Sequence, residues 1–276
     1  MRIGPTLLLA NALLALAAPA AATEALDLYR ERALVSALDR RCDLLSGPTA
    51  AALDAATAQA RGAALRGGAD AATLDGERRR AERRAAAAAC DGADAATIRT
   101  RVERAFGDWS RTPRLTLAGD WSAWRAERGA AEGWRLVQTG RTGASPVAFG
   151  LPSFDAQGPA AVVSFVGAPR PYGARLVFRD AERTARPSLD PRARVAKRTI
   201  WASSQARAPS ALLGGRRDGE VWRFPAEAID RLAELDPRER FTVEFVFRDD
   251  SVARAEFEVG ELIAGRAFVQ LGPLRL

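Results

Sequence analysis

Histidine is absent from this chain of 276 residues, and lysine, methionine and asparagine occur once each. Without histidine there is no usual general base, no imidazole ligand for zinc, and no Ser/His or Cys/His nucleophile pair. Cysteine is scarce as well. Two residues, Cys42 and Cys90, exclude a disulfide-dense miniprotein, and no CxxC spacing points to a redox or zinc centre. No apolar run reaches the roughly 20 residues of a spanning helix, so a membrane bundle is excluded too. A P-loop, a dinucleotide fingerprint and a calcium loop are also missing. Aromatic residues make up 7% of the chain, and much of its 47% hydrophobic content is alanine, so large core side chains must be concentrated locally.

What is present begins with a leader pattern. Residues 1–22 hold Arg2, an apolar run from Thr6 to Ala18, Pro19, and then Ala20, Ala21 and Ala22. A charged start, an apolar middle and small residues at the end read as a secretory signal peptide, too short for an anchor. This predicts a periplasmic or secreted protein with no membrane span after cleavage. In that setting an even pair of cysteines reads as one disulfide, Cys42 to Cys90.

Residues 23–111 read as a helical domain. Leu34, Leu38, Cys42 and Leu45 recur at helical spacing between Glu24 and Leu45, which turns Cys42 inward. Ser46-Gly47-Pro48 punctuates the chain before an alanine-rich helix from Thr49 to Leu65. A third helix is predicted from about Asp70 to Ala89, weakened at Gly76. The fourth is expected to start at a cap near Asp91 or Asp94 and to carry Ile98, Val102, Phe106 and Trp109 on one face. A disulfide from the first helix to the end of the third would clip the bundle.

After Pro113 the period changes to two, and residues 112–276 read as a β-rich domain. Strands are expected at Trp134–Thr139, Val147–Gly150, Ala160–Val166, Ala174–Arg179, Val195–Ala202, Glu220–Phe224, Arg240–Arg248 and Ser251–Val259. The clearest is the final hairpin. Phe241, Val243, Phe245 and Phe247 alternate with Thr242, Glu244 and Arg248, and Asp249-Asp250 supplies the turn. Pro225 to Leu235 has helical spacing and ends at Asp236-Pro237. The predicted class is therefore α+β: an N-terminal disulfide-clipped helical bundle, then a mainly antiparallel β-sandwich or open barrel with one packed helix.

The formal net charge of +7 is unevenly spread. From Arg170 to Arg217 there are 12 basic side chains against 3 acidic, and from Asp218 to Leu276 there are 8 against 13. Arg192, Arg194, Lys197 and Arg198 are the candidate anion-binding residues of the basic stretch. Solvated surface in an arginine-preferring chain accounts for the same run. Nucleic acid is not an expected partner, because no recognition motif follows the basic residues.

Gly107-Asp108-Trp109-Ser110 recurs as Gly119-Asp120-Trp121-Ser122, and Trp124 and Trp134 follow. Trp121, Trp124 and Trp134 are candidate ligand-stacking residues, which in a cell envelope suggests glycan. Core packing, with a short helix capped at Asp120 or Ser122 and running to Arg128, is the reading that large aromatics near a domain junction favour. Carboxylate chemistry without histidine would need a pair such as Glu256 and Glu258, with Glu244 opposite, as in glycoside hydrolysis. The polar face of an amphipathic hairpin also accounts for those residues. No catalytic residue, metal or cofactor is assigned.

The order Phe224-Pro225, helix Ala226–Leu235, strand Phe241–Phe247, strand Ala253–Val259, then Gly260–Phe268 resembles the C-terminal part of exported bacterial proteins of the invasion-associated locus B type. Their cysteine pairs in this region and their closing Ser-Leu-x-Gly-Phe element are replaced here, the latter by Glu258-Val259-Gly260-Glu261-Leu262. The whole chain resembles exported proteins of unassigned activity in high-GC Gram-negative bacteria. The resemblance implies a periplasmic or secreted protein of a kind not known as enzymes. The expected function is non-enzymatic binding of an envelope protein or glycan; the alternative is a carboxylate-dependent enzyme acting on envelope glycans.

Overall fold

The computed structural model describes residues 17–129, 132–154, 158–166, 170–190 and 193–274. Residues 1–16, which carry most of the expected signal peptide, and Arg192 lie outside the described residues. The fold is α+β. Four helices come first: α1 (Ala17–Cys42), α2 (Gly47–Arg66), α3 (Ala71–Ala87) and α4 (Ala93–Ser110). Asp43 has a φ of 50° and ends α1 one residue after the cysteine, so Leu45 packs from the connecting turn against Leu53 and Val102. Pro48 stands in the first turn of α2, and the Asp70 carboxylate accepts the Thr73 N–H at 3.0 Å to cap α3. Gly92, not Asp91 or Asp94, is the N-cap of α4, with no side-chain cap bond.

Cys42 and Cys90 form the disulfide, with Cα atoms 5.3 Å apart. It joins the end of α1 to the turn between α3 and α4. The Arg41 guanidinium reinforces that junction by donating to the Ala85 and Ala88 carbonyls.

The strands form two antiparallel sheets. One has seven, in the order β1 (Arg114–Ala118), β2 (Ala123–Glu127), β3 (Leu136–Thr142), β4 (Ser145–Leu151), β5 (Ala160–Val163), β9 (Glu220–Arg223) and β8 (Ser204–Arg207). The other has four, in the order β11 (Val252–Glu258), β10 (Arg240–Val246), β6 (Gly173–Arg179) and β7 (Lys197–Trp201). Residues 120–128, expected as a helical alternative, fold instead as a turn and β2, because alternate burial of Trp124 and Ala126 fits a strand. The inner faces of both sheets share one core. Phe149 of the larger sheet meets Phe241 and Phe257 of the smaller at ring-centroid distances of 5.0 and 5.6 Å.

The two sheets are joined at opposite corners. At one, Ala202 donates to the Ala174 carbonyl in the small sheet while the next residue, Ser203, donates to the Arg223 carbonyl in the large one. At the other, the buried Gln138 side chain accepts the Glu258 N–H at 2.8 Å and donates to the Glu258 carbonyl at 3.1 Å. One amide thus substitutes for a missing strand neighbour.

Two helices pack on the strands: α5 (Glu227–Ala233), where the sequence predicts one, and α6 (Leu262–Gln270), in a segment to which the sequence reading assigns no element. Gly265 lies in the middle of the latter. A Cβ there would stand 2.5 Å from a Leu136 methyl, so the helix accepts a poor helix former in exchange for close approach to β3. Helix α2 lies against α6, and Trp109 at the end of α4 packs edge-on against Phe268 at 5.4 Å. Among the described residues no helix is long and apolar enough to cross a membrane.

Candidate functional site

Because side chains alternate across a strand, burying Leu176, Phe178, Phe241, Val243, Phe245, Ala255 and Phe257 inward sends their polar neighbours outward. The outer face of the four-stranded sheet therefore carries cross-strand rows. One runs Arg254, Glu244, Arg175, Trp201, and the next runs Glu256, Thr242, Val177, Thr199. A third places Lys197 opposite Arg179. Over this face lies a trough of about 440 Å³, within the range of small-ligand sites. Asp120 and Trp121 form one wall, Ser188, Leu189, Ala193 and Val195 another.

Both walls are fixed by buried carboxylates. The Glu258 side chain, 1% exposed, accepts the backbone N–H groups of Asp120, Trp121 and Ser122 at 2.7, 3.2 and 3.2 Å. This explains the second Gly-Asp-Trp-Ser motif: the turn wraps a carboxylate, and a Cβ at Gly119 would meet a Glu258 oxygen at 2.4 Å. On the other side Glu239 takes a two-pronged bond from Arg179, at 2.6 and 2.8 Å, and accepts the N–H of Ser188 at 2.9 Å.

Each carboxylate that lines the trough is paired with an arginine. Glu244 accepts from Arg175 at 2.7 Å and from Arg254 at 2.9 Å. Burial alone would raise its carboxyl, but the bonds from the two arginines prevail and hold it below the usual carboxylate range. Glu256 faces Arg240 at 3.4 Å, and Asp120 faces Arg66 at 3.5 Å. Arg66 also pairs with Glu261, which stands between α2 and α6 and whose carboxyl is pushed up by burial against the pull of that arginine.

The three candidate tryptophans separate. Trp121 is 46% exposed at the rim of the trough, with the Arg240 guanidinium 4.7 Å from its ring centre. Trp124 is 0% exposed and donates its indole N–H to the Val259 carbonyl at 3.0 Å, so it packs the core and offers no face to a ligand. Trp134 is half-buried on the far side of the seven-stranded sheet, where it packs against Ala160, Val162 and Leu212 and donates to the Leu212 carbonyl.

The basic candidates separate for the same geometric reason. Lys197 and Arg198 are consecutive strand residues and point to opposite faces. Lys197 lines the trough and has no ionic partner among the described residues, whereas Arg198 is bound to Asp180 and Glu182. Arg194 is exposed beside the wall. The carboxylates expected as a pair are split likewise: Glu244 and Glu256 line the trough, and Glu258 is consumed by the turn above it.

Sequence reasoning does not single out Thr242, Arg179, Glu239 or the exposed Trp201 as part of a common surface. The alternation in β10 places Thr242 and Glu244 outward, but the pairing of β10 with β6 joins residues more than sixty positions apart. No protein-family model, curated protein or solved structure matches this chain.

Proposed function

We propose that this chain is an exported, non-enzymatic binding protein of the bacterial cell envelope, and that the trough on the four-stranded sheet is its ligand face. One observation carries the reading: each carboxylate that lines the trough, Asp120, Glu239, Glu244 and Glu256, has an arginine within ion-pair distance. Acid catalysis in such a site needs a carboxyl whose pKa is raised toward neutrality. Glu244 is shifted the opposite way. A polar floor whose carboxylates are all paired, with an aromatic rim, suits recognition, where polar groups are pre-oriented and need not change protonation.

The leader pattern and the disulfide support an oxidising, extracytoplasmic setting. The decisive experiment uses the chain from Thr23 onward, immobilised and exposed to envelope glycan and protein fractions at low and high salt. Retention of a defined component that falls on Trp121→Ala supports the reading. Turnover of a glycan that is abolished by Glu256→Gln would overturn it in favour of an enzyme.

A further inference from the structure

Resting on the reading of the trough as a ligand face, we propose that its ligand is an anionic saccharide, one sugar ring stacked at Trp121 and its carboxylate or phosphate held at Lys197. Trp121 is a large ring left open at a concave site, in a turn whose Asp120, Trp121 and Ser122 N–H groups each donate to Glu258. A pre-fixed aromatic platform loses little conformational entropy on binding, and the flat apolar face of a sugar covers it without burying unpaired hydroxyls.

Arg240 lies against the same indole and is drawn toward Glu256, so its charge is largely answered within the protein. The other arginines of the trough are answered too: Arg179 by Glu239, Arg238 by Asp236, and Arg254 by Glu244. Lys197 differs. It is the one lysine in the chain, it lines the trough, and among the described residues it has no carboxylate. An ammonium without a partner at the edge of an otherwise neutralised surface is where a ligand anion gains most.

The spacing suits one extended ligand. Lys197 sits opposite Arg179 on the strand next to it, and β10, which carries Arg240, is the strand after that. Two strand spacings at about 4.8 Å each put roughly 10 Å between the lysine row and the arginine under Trp121. That distance matches about two sugar rings, and the floor between is Thr242, Val177 and Arg179, which supplies a hydroxyl and apolar surface without a free carboxylate to repel the ligand. A neutral glycan would leave Lys197 without use, and a strongly cationic one would meet it directly.

The test titrates the chain from Thr23 onward by calorimetry with three disaccharide probes: one neutral, one bearing a uronic acid and one bearing a sugar phosphate. The expected result is tighter binding of one or both anionic probes than of the neutral one, by about 10- to 100-fold, the range of a charge-assisted hydrogen bond. Which anionic probe binds tighter distinguishes carboxylate from phosphate. Lys197→Ala should remove that preference, Lys197→Arg should keep it, and Trp121→Ala should weaken all three.

Equal affinity for neutral and anionic probes, or a preference that survives Lys197→Ala, would overturn the inference while leaving the ligand face intact. No binding of any saccharide, together with retention of an envelope protein that depends on Trp121, would overturn it and keep the binding reading. Loss of both would overturn both.

Discussion

In the helical half the core is made of Ala33, Ala37, Ala60, Ala64, Ala81 and Ala85 with a few leucines and one fully packed ring, Tyr29. In the β half a single residue, Phe149, touches four rings, those of Trp124, Phe224, Phe241 and Phe257. Alanine buries little area, so the helices gain little per residue from leaving water, whereas each Phe or Trp contributes about 150–250 Å². The disulfide compensates where the core is thin. Chain constraint holds the first half and aromatic packing the second, and the candidate ligand face is built on the half that holds itself.

The sharpest way to break this contrast is to remove its centre. Phe149→Ala is expected to cost about 4–5 kcal/mol, the upper part of the range for such truncations, because four rings lose a neighbour at once. Denaturant unfolding followed by tryptophan fluorescence would register it; a loss below about 1 kcal/mol would mean that the aromatic cluster does not dominate. Next in size, changing both Cys42 and Cys90 to Ala should cost about 3–4 kcal/mol, since the bridge closes a loop of 48 positions. The helical circular dichroism signal should then melt before the tryptophan signal. A single coincident transition would show that contacts of α2 with α6 couple the halves more strongly than the bridge does.

A third measurement uses pH. Glu244 in the β half and Asp236 before β10 both have folded-state pKa values held low by arginine partners despite burial. A depressed carboxylate contributes stability that is present above its unfolded value, about 4.5 for Glu, and is lost as the pH falls through the folded value. Stability should therefore fall on acidification below about 4.5, and Glu244→Gln should flatten that dependence while lowering stability at neutral pH, where it leaves two arginines short of a partner. An unchanged slope would remove Glu244 from the account. The smallest effect is expected for Trp121→Ala. Its thermal unfolding should stay within about 0.5 kcal/mol of the unaltered chain, since the ring is exposed and its turn is held through backbone groups. A larger loss would make Trp121 part of the fold rather than the ligand face.

The sequence makes some of this plain and hides the rest for definable reasons. The helical stripe through Cys42 and the hairpin from Phe241 to Phe257 follow from periodicity, because each is settled by residues close together, and the pairing with Cys90 follows from there being only two cysteines to join. Strand β8 is hidden because all four of its residues are exposed and no apolar face marks it. Helix α6 carries Leu262, Phe268 and Val269 at helical spacing, but the role of Gly265 between them is apparent only once Leu136 is seen against it. At the site, Trp121 and Lys197 were readable as candidates, but nothing local separates Trp121 from the buried Trp124 three residues on. That distinction is made by Glu258, which holds the turn at Trp121 outward, while strand alternation turns Trp124 inward.

The step from Ala202 to Ser203 carries one further consequence. Since these consecutive residues bond to different sheets, β7 and β8 are a single covalent thread stitched into two fabrics. A slip of one residue on either side would drag its counterpart out of alignment across the seam. Each sheet thus constrains the other at the seam, and an edge strand as plain as β8, with little in its own side chains to fix its position, has its register on β9 tied to that of β7 in the opposite layer.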